Sequence, residues 1–502
     1  MNYLSMLKRV LVSAMIPVML FLALASWGVA SPVAASPDDD YHLASIWCGQ
    51  GLREGLCEAG DTPQARQVPQ VLNQLANCYK FNAAASANCL TEPSDVLILT
   101  TRGSFDGGYP PIFYGVMSIF ASENISASVI AMRTANAFLF VGLATVLFFA
   151  LPRKRRDPLV ISALVALVPL GMFLVPSTNP SSWAVISAMT LWLAVLGFFA
   201  ATSVRKRIVL GGVATLATVM GAGARSDAAV YSVLAMIVAT VLSFERSRRF
   251  VLLLVLPALL SVIAAVLFLG SGQSSVVQPD AFTEGASRSD VLILIGTNLQ
   301  LLPQLWAGAL GTTGLGWLDT LLPGLVWFPA LASFSALVFW GLQTVPLRKG
   351  LSVLMVFGSL IVVPMYILVN DRVLVGTDVQ PRYIYPLMIM LVGVAVLQLR
   401  APALRFSRVQ MFAVAFALAV ANGTALHINL RRYTTGIDVG GFNLNNGYEW
   451  WWNAPVMPMT IWAAGTLAFA VFAFAVAAFL TSRNRDNMAS SLIDRGDAHS
   501  LR

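Results

Sequence analysis

The chain is cut by short basic clusters into apolar runs, each close to the length that a bilayer requires. About 20 predominantly apolar residues cross a hydrocarbon core as a helix. Twelve stretches approach that length: 10–31, 128–151, 158–175, 181–202, 208–223, 228–244, 250–270, 323–342, 351–370, 384–398, 409–426 and 457–480. Only 11% of the 502 residues are charged, against roughly 25% in soluble domains, so lipid is the expected main solvent. The formal charge of +8 does not point to nucleic acid. Its basic residues sit between apolar runs, as in PRKRRD, VRKR and ERSRR, and form no solvated patch. The expectation is an all-α integral membrane protein of about 12 transmembrane helices, a single multipass domain over 1–502.

The distribution of Lys and Arg orients these spans. With the N-terminus in the cytoplasm, twelve spans place seven segments inside, and these hold 21 of the 32 basic residues. Ten lie outside and Arg133 lies within a span. The tail at 481–502 is then cytoplasmic. Lys8 and Arg9 ahead of the first run also fit a signal peptide, but the run is long for that role and a retained anchor is expected.

Three outer loops follow from this topology: 32–127, 271–322 and 427–456. All four cysteines, Cys48, Cys57, Cys78 and Cys89, fall in the first. An oxidising location makes two disulfides the expectation. Three pairings are possible, the simplest being Cys48 with Cys57 and Cys78 with Cys89. In FDGGYPPIFYGVMSIFAS of the same loop, Pro110 and Pro111 precede what reads as a short apolar helix lying on the membrane. In the second loop, Pro303 and several glycines interrupt the apolar stretch, which suits interfacial helices better than a crossing pair. Trp450, Trp451 and Trp452 of the third read most simply as an interfacial aromatic belt, a sugar-stacking platform being the sharper alternative.

Chemistry-bearing residues gather in these loops. Asp38, Asp39, Asp40 and His42 follow the first span directly. Adjacent carboxylates resist ionising together, so such a group shares a proton, pairs with cations or binds a metal ion. It suits a general base, although aspartates are also favoured at any helix N-terminus. Gln380, Arg382 and Tyr383 open the tenth span, where an arginine can hold a phosphate by paired hydrogen bonds or simply anchor the interface. Arg225 and Asp227 share a short turn between two spans, a costly depth for charge unless it is paired or functional. STNPSSW, 177–183, reads as a tight turn and nothing more.

Two of these motifs carry a resemblance. PDDDYHL resembles the P-D-E-x-x-H-F motif of a bacterial family of predicted multipass membrane proteins of unknown function, and QPRYIYPL resembles that family's Q-G-R-Y-x-x-P-L motif. Asp39 stands where the family has Glu, and Pro381 where it has Gly. That family in turn looks like the GT-C superfamily of polytopic glycosyltransferases. The resemblance implies a GT-C-like fold in the bacterial plasma membrane, with both termini cytoplasmic. It implies inverting transfer of a sugar from a polyprenyl-phosphate donor to a glycan or protein acceptor outside. Asp38 or Asp39 would be the base, and Arg382 with Gln380 would bind the carrier phosphate, Asp40, His42, Arg225, Asp227 and Tyr383 lining the substrate site. Some relatives use a divalent metal ion, which three aspartates and a histidine leave open. The alternative is a transporter or flippase of a lipid-linked precursor, since twelve spans are also a common transporter count, though transport pathways place ionisable groups near the midplane. A noncatalytic assembly partner is a third reading.

Overall fold

A computed structural model describes residues 3–90, 96–272, 288–377, 379–399 and 406–499, with side chains over 14–74, 77–90, 96–272, 289–377, 379–399 and 406–482. The stretch 273–287 of the second expected loop lies outside the described residues, as does residue 400.

The chain opens with α1 (Tyr3–Val29) and turns at once into the short α2 (Asp39–Trp47). A three-stranded antiparallel sheet follows, β1 (Glu58–Ala59), β2 (Arg66–Pro69) and β3 (Leu97–Thr100), an element that the apolar pattern did not announce. β2 and β3 pair from Arg66↔Thr100 to Pro69↔Leu97. Disulfides Cys48–Cys57 and Cys78–Cys89 fasten the loop around this sheet, in the local pairing. The stretch expected to lie on the membrane is α3 (Ile112–Met117). It buries Phe113, Tyr114 and Met117 in protein and leaves only Val116 and the following Ile119 exposed.

Next come α4 (Ile125–Ala150), α5 (Arg156–Ala166), α6 (Leu170–Leu174), α7 (Ser181–Ala200), α8 (Val204–Ala224), α9 (Ser226–Ser243), α10 (Arg248–Leu253) and α11 (Val255–Leu269). Asn124 starts α4 by accepting the Ala127 N–H on its side chain. The expected span at 158–175 is two helices, because Pro169 supplies no N–H and its ring clashes with the preceding turn. Arg155 nevertheless donates to Leu196 O near the end of α7, and Ser182 at its start donates to Val175 O. The α5–α6 pair therefore runs the length of α7, antiparallel to it.

The chain ends with α12 (Arg288–Ala307), α13 (Gly324–Gly341), α14 (Leu347–Asn370), α15 (Pro381–Val396), α16 (Arg408–Thr434) and α17 (Pro458–His499). Pro381 occupies the first turn of α15, where its fixed φ is preorganised, and a Ser407–Gln410 capping box starts α16. α12 replaces the expected broken interfacial pieces: Pro303 sits inside a continuous helix that runs on through a π-helical turn at Gly308–Thr312. Its flanks lie at the same end of the bundle. Ser271 bonds Ser226 before it, and Trp317 donates to Ala34 O after it.

Ten helices among the described residues are long and apolar enough to cross a membrane, α12 among them, and the described part of α1 and α15 are shorter apolar helices. The protein is thus a mostly helical multipass membrane protein. At the loop-rich end, Trp450 is buried and Trp452 donates its indole N–H to Val29 O. The tryptophan run is thus tied to the end of α1 through Trp452.

Candidate functional site

Three consecutive residues opening a helix project about 100° apart, and the three aspartates accordingly take three different surroundings. Asp38 precedes α2 in a left-handed conformation, φ 58° and ψ 19°, which Asp tolerates better than most residues. It makes no cap bond. Its carboxylate, 39% exposed, accepts from Arg382 Nη2 at 2.5 Å and faces Arg102 Nη2 at 3.4 Å. Asp40 accepts from Arg102 Nε at 2.7 Å and lies 3.4 Å from Lys80 Nζ.

Asp39 turns inward and is fully buried. The Thr178 hydroxyl donates to it at 3.1 Å and the Ser36 N–H at 2.9 Å. Burial pushes its pKa up to about 7, against the lowering effect of the Arg133 charge and of both hydrogen bonds. The turn 177–183 is therefore more than a connection: Thr178 holds Asp39, and Asn179 donates to Pro37 O.

His42 stands one turn further along α2, buried, with Nδ1 2.9 Å from the Tyr114 hydroxyl and its ring 5.3 Å from that of Tyr109. Burial, then the charges of Arg382, Arg225 and Arg102, hold its pKa well below the ordinary value, so the imidazole is neutral at pH 7.

The turn between α8 and α9 brings Arg225 to the same place. It grips Asp227 with two bonds, at 2.9 and 2.7 Å, and lies 4.6 Å from the centre of the Tyr383 ring. Arg382 lies 5.0 Å from the centre of that same ring. Although only 4% exposed, Arg382 has no partner at Nε or Nη1 among the described residues. The half-buried Gln380 likewise has no partner at its carboxamide oxygen. Both side chains edge a cleft whose apolar walls include Pro37, Leu170, Phe173, Leu174, Leu315 and Leu318.

The structure thus brings Asp38, Asp39, Asp40, His42, Arg225, Asp227, Gln380, Arg382 and Tyr383 to one end of the bundle. It adds Lys80, Arg102, Tyr109, Tyr114 and Thr178, which the sequence reading passed over. Lys80 and Arg102 were legible only as basic residues in a segment where the charge rule expects few. Four cations, Lys80, Arg102, Arg225 and Arg382, face the three carboxylates of Asp38, Asp40 and Asp227. That balance suits an anion. Among the described residues, no three of His, Cys, Asp and Glu are placed to hold a metal ion.

A family model described as "Predicted membrane protein (DUF2142)" matches residues 21–392, which takes in both the aspartate cluster and the Gln380–Tyr383 motif. No curated protein and no solved structure matches the chain.

Proposed function

The chain belongs to the DUF2142 family of predicted membrane proteins, and from that premise we propose that it is a glycosyltransferase taking its sugar from a polyprenyl-phosphate carrier. The observation that carries this reading is the adjacency of a partly exposed carboxylate, Asp38, and a buried guanidinium with unused donors, Arg382, at an apolar cleft. The acceptor hydroxyl oxygen attacks the anomeric carbon, and its proton passes to Asp38. The carbon–oxygen bond to the carrier phosphate breaks, its electron pair leaving with the phosphate, whose developing charge Arg382 stabilises. The configuration inverts. Asp39, with no exposed surface, is a positioning residue that fixes the first turn of α2 through Thr178.

In this reading the site lies at the outer face of a bacterial plasma membrane, both termini are cytoplasmic and the architecture is GT-C-like. Twelve crossings result when α5–α6 counts as one and α12 enters and leaves by the same face. The partners are membrane lipid, the lipid-linked donor and a glycan or protein acceptor. Transport of a lipid-linked precursor draws less support. Of the buried charges within helices away from the cleft, Arg133, Lys349 and Arg431 donate to backbone carbonyls, and Arg432 pairs with Asp319.

The test is release of polyprenyl phosphate from radiolabelled polyprenyl-phosphate sugars by the full chain in nanodiscs, with cell-envelope glycans as acceptors. Asp38→Asn is expected to lower turnover by about 10²-fold or more. Transfer that survives Asp38→Asn and Asp38→Ala sinks the reading.

A further inference from the structure

Arg382 holds Asp38 through one nitrogen. Nη2 donates to Asp38 Oδ2 at 2.5 Å and to the Tyr383 hydroxyl at 3.2 Å, which occupies both of its hydrogens. Nε and Nη1 have no partner among the described residues, leaving three of the five guanidinium donors idle in a side chain 4% exposed. A guanidinium grips an oxyanion by a two-pronged edge, either Nε with Nη2 or Nη1 with Nη2. Both edges include Nη2. An incoming oxyanion that completes one fork takes one Nη2 hydrogen and displaces either Asp38 or the Tyr383 hydroxyl, and the fork that shares the hydrogen now on Asp38 is the one that releases the carboxylate.

The surroundings fit such an exchange. The cleft beside Arg382 has apolar walls from Leu170, Phe173 and Leu174 on one side and Leu315 and Leu318 on another. The lining is apolar but the enclosed space is narrow, with room for about one water, so a ligand with a hydrocarbon chain behind its charged head enters only as these walls part. Rotation of the Gln380 carboxamide, whose oxygen is unpartnered, would present N–H donors to the same anion. Asp38, once released, keeps Arg102 Nη2 at 3.4 Å, so its carboxylate stays close.

We propose that Arg382 is an anion-operated latch on Asp38: a phosphate carried on an apolar chain takes the guanidinium forks and frees the carboxylate. In the resting chain the candidate base is masked, and the ligand itself unmasks it, so the donor binds before the acceptor. The ordering rests on the transferase reading; the displacement does not.

Binding of farnesyl phosphate, farnesol and inorganic phosphate to the full chain in nanodiscs tests this by calorimetry. Asp38→Asn removes the competing charge at constant shape, and is expected to tighten farnesyl phosphate about tenfold, while Arg382→Gln weakens it at least as much. Unchanged or weaker binding in Asp38→Asn overturns the latch. A second measurement needs no variant. Carbodiimide labelling of Asp38 in the native chain, read by peptide mass spectrometry, is expected to rise several-fold with farnesyl phosphate and not with farnesol; a fall or no change overturns the proposal. Equal responses to inorganic and farnesyl phosphate keep the latch and assign it to a soluble phosphate, overturning the lipid-headgroup assignment. Intact displacement in a chain that transfers no sugar would remove the transferase reading and leave the latch standing.

Discussion

Arg133 and Arg382 are both buried guanidinium groups at the loop-rich end of the bundle, and they use their donors in opposite ways. Arg133, two turns into α4, donates to Gly28 O at 3.0 Å, Ser31 O at 2.5 Å and Pro32 O at 2.7 Å. Those carbonyls lie in and just after the last turn of α1, where intrahelical partners run out and a cation is favoured by the helix dipole. Arg382 instead bonds one carboxylate and one hydroxyl, and leaves Nε and Nη1 empty. Burial and charge are alike in the two regions; what separates a structural arginine from a candidate ligand-binding one is the occupancy of its donors. An unmade hydrogen bond in a buried cation is costly, and among the described residues Arg382 leaves two nitrogens without a partner where Arg53, Arg207 and Arg432 each leave only Nε.

The sharpest way to break this comparison is to remove each arginine in turn. Arg133→Met strips three buried carbonyls of their donor, and is expected to cost about 3 kcal/mol or more of stability, read as thermal unfolding in detergent. Arg382→Met is expected to cost about 1 kcal/mol, because Asp38 is partly exposed and keeps Arg102. Equal losses would erase the distinction. Activity reverses the ranking. Arg382→Lys keeps the charge but not the fork, and is expected to lower sugar transfer about 10²-fold, with Arg133→Lys nearly silent in whatever fraction folds.

Much of the frame was readable because lipid imposes a length and a charge rule on each helix. The disulfide pairing followed from short spacing in one loop. The failures share a cause: local pattern does not see what a segment packs against. Hydropathy alone could not tell that Pro169 divides one crossing into α5 and α6, or that α12 continues through Pro303. STNPSSW looked like a turn because the partner of Thr178 lies 139 residues away. The aspartates and Arg382 were found by residue type; Arg102 and Lys80, equally close to them, sit in no motif. Why Asp39 and Asp38 differ was beyond the sequence, since their environments are set by the direction in which α2 leaves α1.

That difference between neighbouring aspartates gives the smallest prediction. Asp39 has its pKa raised from 3.8 to about 7 by burial. Between those values the folded state holds a proton that the unfolded state has lost, so this carboxyl's contribution to stability falls as pH rises and levels off above about 7. His42 works in the opposite sense: its pKa lies well below 6.5 when folded, so its contribution improves as pH rises through 6.5. Asp39→Asn deletes the first titration and keeps the second. The stability difference between Asp39→Asn and the native chain is therefore expected to shift in favour of the variant by about 1 kcal/mol from pH 6.5 to pH 8, read from melting curves across that range. A difference that stays flat across that range would mean that Asp39 is not the proton-holding carboxyl of this turn.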